Sequence, residues 1–315
     1  MKQPIFLIPI FQERIWGGTK LRTEFDYAIE SDRTGECWAV SAHPNGMSIV
    51  NNGYYKGKSL NELWEKNPEL FGNIGGAVFP LLTKILDANT DLSVQVHPDD
   101  EYAGVYENGE LGKTECWYII DCEEGSELIL GHKAQTKEEF NEIIQRGQWN
   151  NLLQRIKVKP GDFFYVPSGT IHAIGSGILI LETQQSSDTT YRVYDYDRIG
   201  ENGEKRELHL EKSIDVTTIP HEDYTITPVT TILPGAKITL YIHEENFSVY
   251  KWEISKATTF NQNKPFLIGS VLKGSGKIVT TEATFTIEKG AHFILPNGLG
   301  YFEVNGEVEM IVSHP

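Results

Sequence analysis

Residues 161–172 read GDFFYVPSGTIH and residues 290–301 read GAHFILPNGLGY, two stretches punctuated alike. In each, a Gly leads into a short aromatic and β-branched run, which a Pro, one further residue and a second Gly then break. Glycine supplies the turn conformations and proline ends the strand, so each stretch predicts a strand between two turns. The first copy ends in His172 and the second in Tyr301. One architectural unit is therefore built twice, and a metal-capable imidazole closes only one of them.

The surroundings match as well. ECWYIIDCEEGSELIL precedes the first stretch and FLIGSVLKGSGKIV the second, each a strand, a Gly turn and another strand. The second stretch begins 129 residues after the first, which points to a repeat at the scale of a domain. Runs such as ECWAVSA, FPLLTKIL, LSVQVHP, DFFYVP, ILILETQQ and TYRVYDYD are strand-length and rich in β-branched or aromatic residues. Helical patterns are few. Ser59 with Glu62, and Thr136 with Glu139, have capping-box spacing. The expected fold is mainly β, with two antiparallel β-barrels or jelly rolls. Residues 1–234 form the first, carrying helical insertions at about 58–71, 136–156 and 208–218, and residues 235–315 form the second.

Composition narrows the partners. Across 315 residues, 28 basic and 44 acidic side chains leave a net charge of −16 with no basic run, which disfavours nucleic acid and anionic membranes. No apolar stretch is long enough to cross a bilayer, and the opening MKQPIFLIPIFQER reads as a buried strand rather than a signal peptide. Cys37, Cys116 and Cys122 are odd in number and show no CxxC spacing, so free thiols in a reducing, cytoplasmic setting are expected.

The stretch from Gly161 through Pro167 and Gly169 to His172 resembles the second motif of the cupin superfamily, a jelly-roll fold whose final His ligates a metal. The chain departs from the first cupin motif, with Gln95-Val96-His97 and a distant Glu115. FPLLTKILDANTDLSVQVHPDD, GKTECWYII, VPSGTIHAI, QQSSDTTYRVYDYDR and the early IWGG together resemble the short bacterial form of the type I mannose-6-phosphate isomerases. That resemblance covers nearly the whole chain, including a second cupin domain. It implies a single zinc per chain held by His97, Glu115 and His172, with Gln95 as a weaker ligand or an orienting group. It also implies interconversion of mannose 6-phosphate and fructose 6-phosphate through a cis-enediol(ate).

The residues support the same reading on physical grounds. Strand alternation puts Gln95 and His97 on one face, while His172 follows a Pro–Gly turn on a second strand and Glu115 opens a third. Two imidazoles, a carboxylate and an amide leave a divalent ion with net positive charge and room for an oxygen ligand. Zinc suits such a set best, although iron, manganese or cobalt accept similar ligands.

The cations complete the expectation. Alternation puts Arg192 on one strand face with Tyr194 and Tyr196, and the resemblance places it where the family has its essential arginine. Lys113 stands two residues before Glu115, where the resemblance implies a lysine near the metal for proton shuttling or phosphate contact. Thr114 replaces the Pro of many relatives there. Lys84, inside LLTKIL, is either a solvated strand-edge residue or a substrate-facing one. The general base stays open between Lys113, a metal-bound hydroxide and a histidine.

The second barrel, with Tyr301 at the ligand position and Lys264 near the place of Glu115, is expected to pack and shape the substrate channel without a metal. Two rival functions remain at this stage: another metal-dependent cupin enzyme, and a sugar-phosphate-binding regulator without turnover. The expected partner is a small sugar phosphate, and the expected assembly is a monomer or small homo-oligomer.

Overall fold

The structure, a computed structural model, describes residues 3–200 and 203–315. Met1 and Lys2 of the opening stretch lie outside the described residues, as do Glu201 and Asn202. Among the described residues the fold is three antiparallel sheets with short helices. No helix is long and apolar enough to cross a membrane.

A six-stranded sheet runs in the order Phe163–Val166, Glu115–Cys122, Ile178–Gln185, Leu81–Ala88, Thr34–Val40, Ile10–Gly18. Leu81–Ala88 and Ile178–Gln185 are buried at every position, because both faces of this sheet are covered. On one face Leu86, Trp117, Ile119 and Ile180 pack against Leu128 and Ile174 of the five-stranded sheet. On the other, Cys37, Ile85, Cys116 and Leu181 pack against Phe247, Val249, Ile268 and Ile311 of the C-terminal strands. Cys37, Cys116 and Cys122 are free thiols, the first two buried in this core.

The five-stranded sheet runs Tyr191–Tyr194, Val94–Val96, His172–Ile174, Glu127–His132, Leu153–Lys157. Its outer face (Val94, Val96, Ile171, Ala173, Tyr191, Val193) is covered by Phe140, Ile144 and Leu152. Period-two alternation therefore turns Gln95, His172 and Arg192 toward the interior, opposite the large sheet.

The strands from Val229 onward form most of a third, ten-stranded sheet, to which Ile5–Ile8 and Ile49–Val50 add. Its interior is filled by Val271, Ile278, Phe293, Phe302 and Met310, and Tyr301 is turned outward, 69% exposed.

The helix expected over 136–156 is shorter. Lys137–Gln145 is helical, Gly147 breaks it at φ +63, Trp149–Leu152 adds one turn, and Leu153–Lys157 is a strand paired with Glu127–His132. The other two insertions are present as Leu60–Lys66 with a 3-10 turn at Pro68–Phe71, and as Leu210–Val216. Two further helices lie outside those insertions: Lys20–Phe25, and Asp100–Tyr106, which starts in HPDD with its cap at Asp99.

Candidate metal centre and cavity

Cross-strand register assembles the site. His172 and Arg192 both pair with Gln95, so the three side chains sit side by side on adjacent strands of the small sheet. Facing them, Glu182 pairs with both Lys84 and Trp117, and Lys84 with Trp38, on the inner face of the large sheet. Glu115 opens its strand and turns inward with Trp117 and Ile119, and His97 follows directly after Val94–Val96.

His97, Glu115 and His172 are at most 1% exposed, and their ligand atoms lie within 4.8 Å of one another. His97 Nε2 is 3.5 Å from Glu115 Oε2, and His172 Nε2 is 3.4 Å from Glu115 Oε1. Each imidazole has a carbonyl on its far side: His97 Nδ1 meets Thr189 O at 2.9 Å and His172 Nδ1 meets Thr170 O at 2.8 Å. Donation to those carbonyls assigns the proton to Nδ1 and leaves both Nε2 lone pairs aimed at the carboxylate. Both Glu115 oxygens are buried and make no hydrogen bond of good geometry. A buried carboxylate with no hydrogen bond, ion-paired at Oε2 to Lys113 and facing two imidazole lone pairs, fits a divalent cation of the zinc type.

Electrostatics agree with ligation. Burial, helped by the charge of Lys113, pushes the His97 imidazole down to about 3, and burial also lowers His172, so both stay neutral. Burial works to raise Glu115, but the adjacent charge of Lys113 holds it well below the usual carboxylate range. The Gln95 amide reaches His172 Nε2 at 3.3 Å through its nitrogen, and a half turn exchanges nitrogen for oxygen at that place.

The cations converge here too. The strand begins only at Glu115, so Lys113 belongs to the preceding loop. Its Nζ nevertheless lies 3.2 Å from Glu115 Oε2 and 3.0 Å from His97 Nε2. The Thr114 N–H donates to Gln185 Oε1, a bond proline could not make. Lys84 is no solvated edge residue. It is 3% exposed, between Glu36 Oε2 at 3.9 Å and Glu182 Oε1 at 3.8 Å, with Nζ 4.8 Å over the Trp38 ring. Arg192 donates from Nε to Ser93 Oγ and from Nη1 to Glu207 O. The expectation that Tyr194 and Tyr196 share its face is corrected. The ladder shifts between Arg192 and Tyr194, and both tyrosines lie toward Trp149, away from the cavity that Arg192 lines.

Gln95, Lys84, Lys113 and Arg192 line a cavity of about 230 Å³. A larger hollow of about 580 Å³ lies on the C-terminal sheet among Lys237, Glu253, Lys273 and Glu309, away from every residue singled out in the sequence. Sequence reading missed Glu182, Glu36, Arg14 and Asp188, which also line the smaller cavity. Glu182 is 3% exposed and takes a 3.0 Å hydrogen bond from Trp117 Nε1. Burial, then the charge of Glu115, pushes its carboxyl up to about 7, against Lys113 and Lys84. A charged residue inside ILILETQQ was the available signal, since an unpaired buried carboxylate is costly.

Comparison with known proteins places this geometry. The family description "Phosphomannose isomerase type I, catalytic domain" matches residues 5–121, and "Mannose-6-phosphate isomerase, cupin domain" matches residues 237–315. The chain is 58% identical over 315 residues, all of both chains, to the probable mannose-6-phosphate isomerase GmuF of Bacillus subtilis. It is 57% identical over 312 residues, 99% of each chain, to mannose-6-phosphate isomerase ManA of the same organism. The crystal structure of a Bacillus subtilis mannose 6-phosphate isomerase superposes with TM-score 0.98 at 55% identity, covering 99% of both chains.

Proposed function

The chain belongs to the type I phosphomannose isomerases, and from that premise we propose that it interconverts mannose 6-phosphate and fructose 6-phosphate. The observation that carries this reading is the convergence of two neutral imidazoles and a buried carboxylate beside a cavity walled by Lys84, Lys113 and Arg192.

His97, Glu115 and His172 would hold one zinc per chain, with Gln95 beside them. When bound, zinc supplies Lewis-acid polarisation of the sugar's carbonyl. The remaining steps fall to the chain's own groups. The C2 proton leaves to a base, the C2–H electron pair becomes the C1–C2 double bond, and the carbonyl pair moves to O1. Reprotonation at C1 and transfer of the O2 proton to O1, as the O2–H pair forms the C2 carbonyl and the C1–C2 double bond returns its pair to C1, then give the ketose. Lys113, whose ammonium is held charged against its burial by Glu115, Glu182 and Asp188, is placed to stabilise charge on the enediolate oxygens. Arg192 would hold the open chain and its phosphate from the cavity wall, with Lys84 as a second contact. Glu182, a carboxyl that burial pushes up, is suited to carry the proton between C2 and C1.

Buried, unpaired Cys37 and Cys116 fit a reducing cytoplasm. The filled interior of the C-terminal strands fits a packing role without a second metal. A coupled assay for fructose 6-phosphate formed from mannose 6-phosphate tests the function. Saturable turnover supports it, and none in folded, zinc-loaded protein sinks it.

A further inference from the structure

The outer side of the five-stranded sheet carries a separate hollow of about 440 Å³, walled by Trp149, Asn150, Asn151, Arg155, Tyr194 and Tyr196. Local structure explains why aromatic rings gather there. The ladder shift after Arg192 turns Tyr194 out of the barrel, and Tyr196 follows in a left-handed turn at φ 55. Trp149 opens the single helical turn after the Gly147 break and stacks on Tyr194, centroids 4.4 Å apart at 17°. Tyr196 closes against Tyr194 at 4.9 Å, and the Arg198 guanidinium lies over the Tyr196 ring at 5.2 Å.

Two features define what such a surface recognises. The three rings are only half-buried and all border the hollow; Trp149 and Tyr194 cover one face of each other, and the aromatic surface outside that contact is open to a ligand. Around it, the exposed amides of Asn150 and Asn151 and the phenol hydroxyls of Tyr194 and Tyr196 make no hydrogen bond to protein among the described residues. An aromatic face bordered by unpaired amides and hydroxyls suits a ligand with one apolar C–H face and a rim of hydroxyls. We propose that this hollow binds a hexopyranose ring, its apolar C–H face against the exposed aromatic surface and its hydroxyls on the amides.

Other ligand classes fit less well. A nucleobase needs a slot between rings, and Trp149 and Tyr194 are already closed on each other. An anion would find only cations that are already engaged: Arg155, 4.0 Å from Glu127 Oε2, and Arg198, ion-paired with Asp195 and lying over the Tyr196 ring. The site stands whether or not the chain turns over mannose 6-phosphate, because it shares no residue with the metal centre or the cavity beside it.

The test is an NMR titration of zinc-loaded full-length protein, following the backbone amides of Asn150, Arg155 and Tyr196, which line the hollow and are kept in both variants below. The probe is methyl α-D-mannopyranoside, whose ring cannot open and which is therefore not a substrate. Saturable shifts with a dissociation constant of about 1–10 mM are expected for so shallow a site. Trp149→Ala should weaken binding at least about tenfold. Asn151→Ala, at an exposed position without a side-chain partner, should weaken it without disturbing the fold. Isomerase turnover should be unchanged in both. A parallel titration with mannose 6-phosphate tells whether the substrate's own ring form also occupies the hollow. No saturable shift up to about 100 mM, a far weaker site than this wall should give, overturns the proposal. So does equal binding in both variants, or tighter binding of adenosine than of the mannoside.

Discussion

Replacing Lys84 with Met removes a buried cation at nearly constant volume, and its cost should depend on pH in a calculable way. Lys84 Nζ lies 3.8 Å from Glu182 and 3.9 Å from Glu36, where each attraction is about 4 kcal/mol at an effective dielectric near 20, before desolvation. Glu36 keeps other partners: Arg14 Nε at 2.8 Å and the Trp38 indole N–H at 2.5 Å. Among the described residues Glu182 keeps one hydrogen bond, from the Trp117 indole, and the longer-range attraction of Lys113, so more of the loss falls there. Its folded carboxyl, at about 7, is already raised above the unfolded value by burial and the charge of Glu115. A raised carboxyl means the folded state holds the extra proton, so this group's contribution to stability falls as pH climbs toward 7 and then levels off. Without Lys84 the folded value moves higher, and the decline continues beyond 7. At pH 6 both proteins carry a protonated Glu182 and should differ little through this group. By pH 8 the accumulated gap between variant and wild type should reach up to about 1.4 kcal/mol. Urea denaturation at pH 6, 7 and 8, with both proteins in the same metal state, measures the difference. A gap that stays constant or narrows with rising pH refutes the reasoning.

Glu182→Gln should abolish the rising limb of the pH–rate profile, which zinc on Glu115 would bring below the metal-free position near 7, and lower kcat by about 100-fold or more, with zinc content unchanged. Full turnover in that variant removes Glu182 from the proton path. Arg192→Lys keeps the charge but loses the fork that bonds Ser93 and Glu207, so KM for mannose 6-phosphate should rise about tenfold or more. An unchanged KM contradicts the role given to Arg192. Met310→Ala opens a cavity in the filled core of the C-terminal strands and should cost about 3 kcal/mol in denaturant unfolding. Zinc per chain, read by elemental analysis, should not change, and a metal loss would show that this core does more than pack.

Much of this was legible in the sequence because the signals were local. The Gly–Pro–x–Gly punctuation marked equivalent turns, Gln95-Val96-His97 set two side chains on one face, and Ser59 with Glu62 does form the capping box. What escaped depends on partners distant in sequence. The pairing of Ile5–Ile8 with His292–Leu295 joins opposite ends of the chain, and neither segment announces the other. Leu153–Lys157 has helix-compatible residues, and only its ladder with Glu127–His132 makes it a strand. Strict alternation failed after Arg192 because the ladder shifts there, which no residue in YRVYDYD signals. Glu36 and Glu182 sat in apolar runs, and their meaning appears only once Lys84 is seen between them.

The most direct test of the central claim is a zinc titration of chelated protein, reading bound metal and isomerase activity together. Burial of His97, Glu115 and His172 around one point predicts that activity rises linearly with zinc and saturates at one equivalent per chain. His172→Ala should neither retain zinc nor recover turnover. Full activity in the metal-free protein, or in a His172→Ala variant without zinc, would contradict the account.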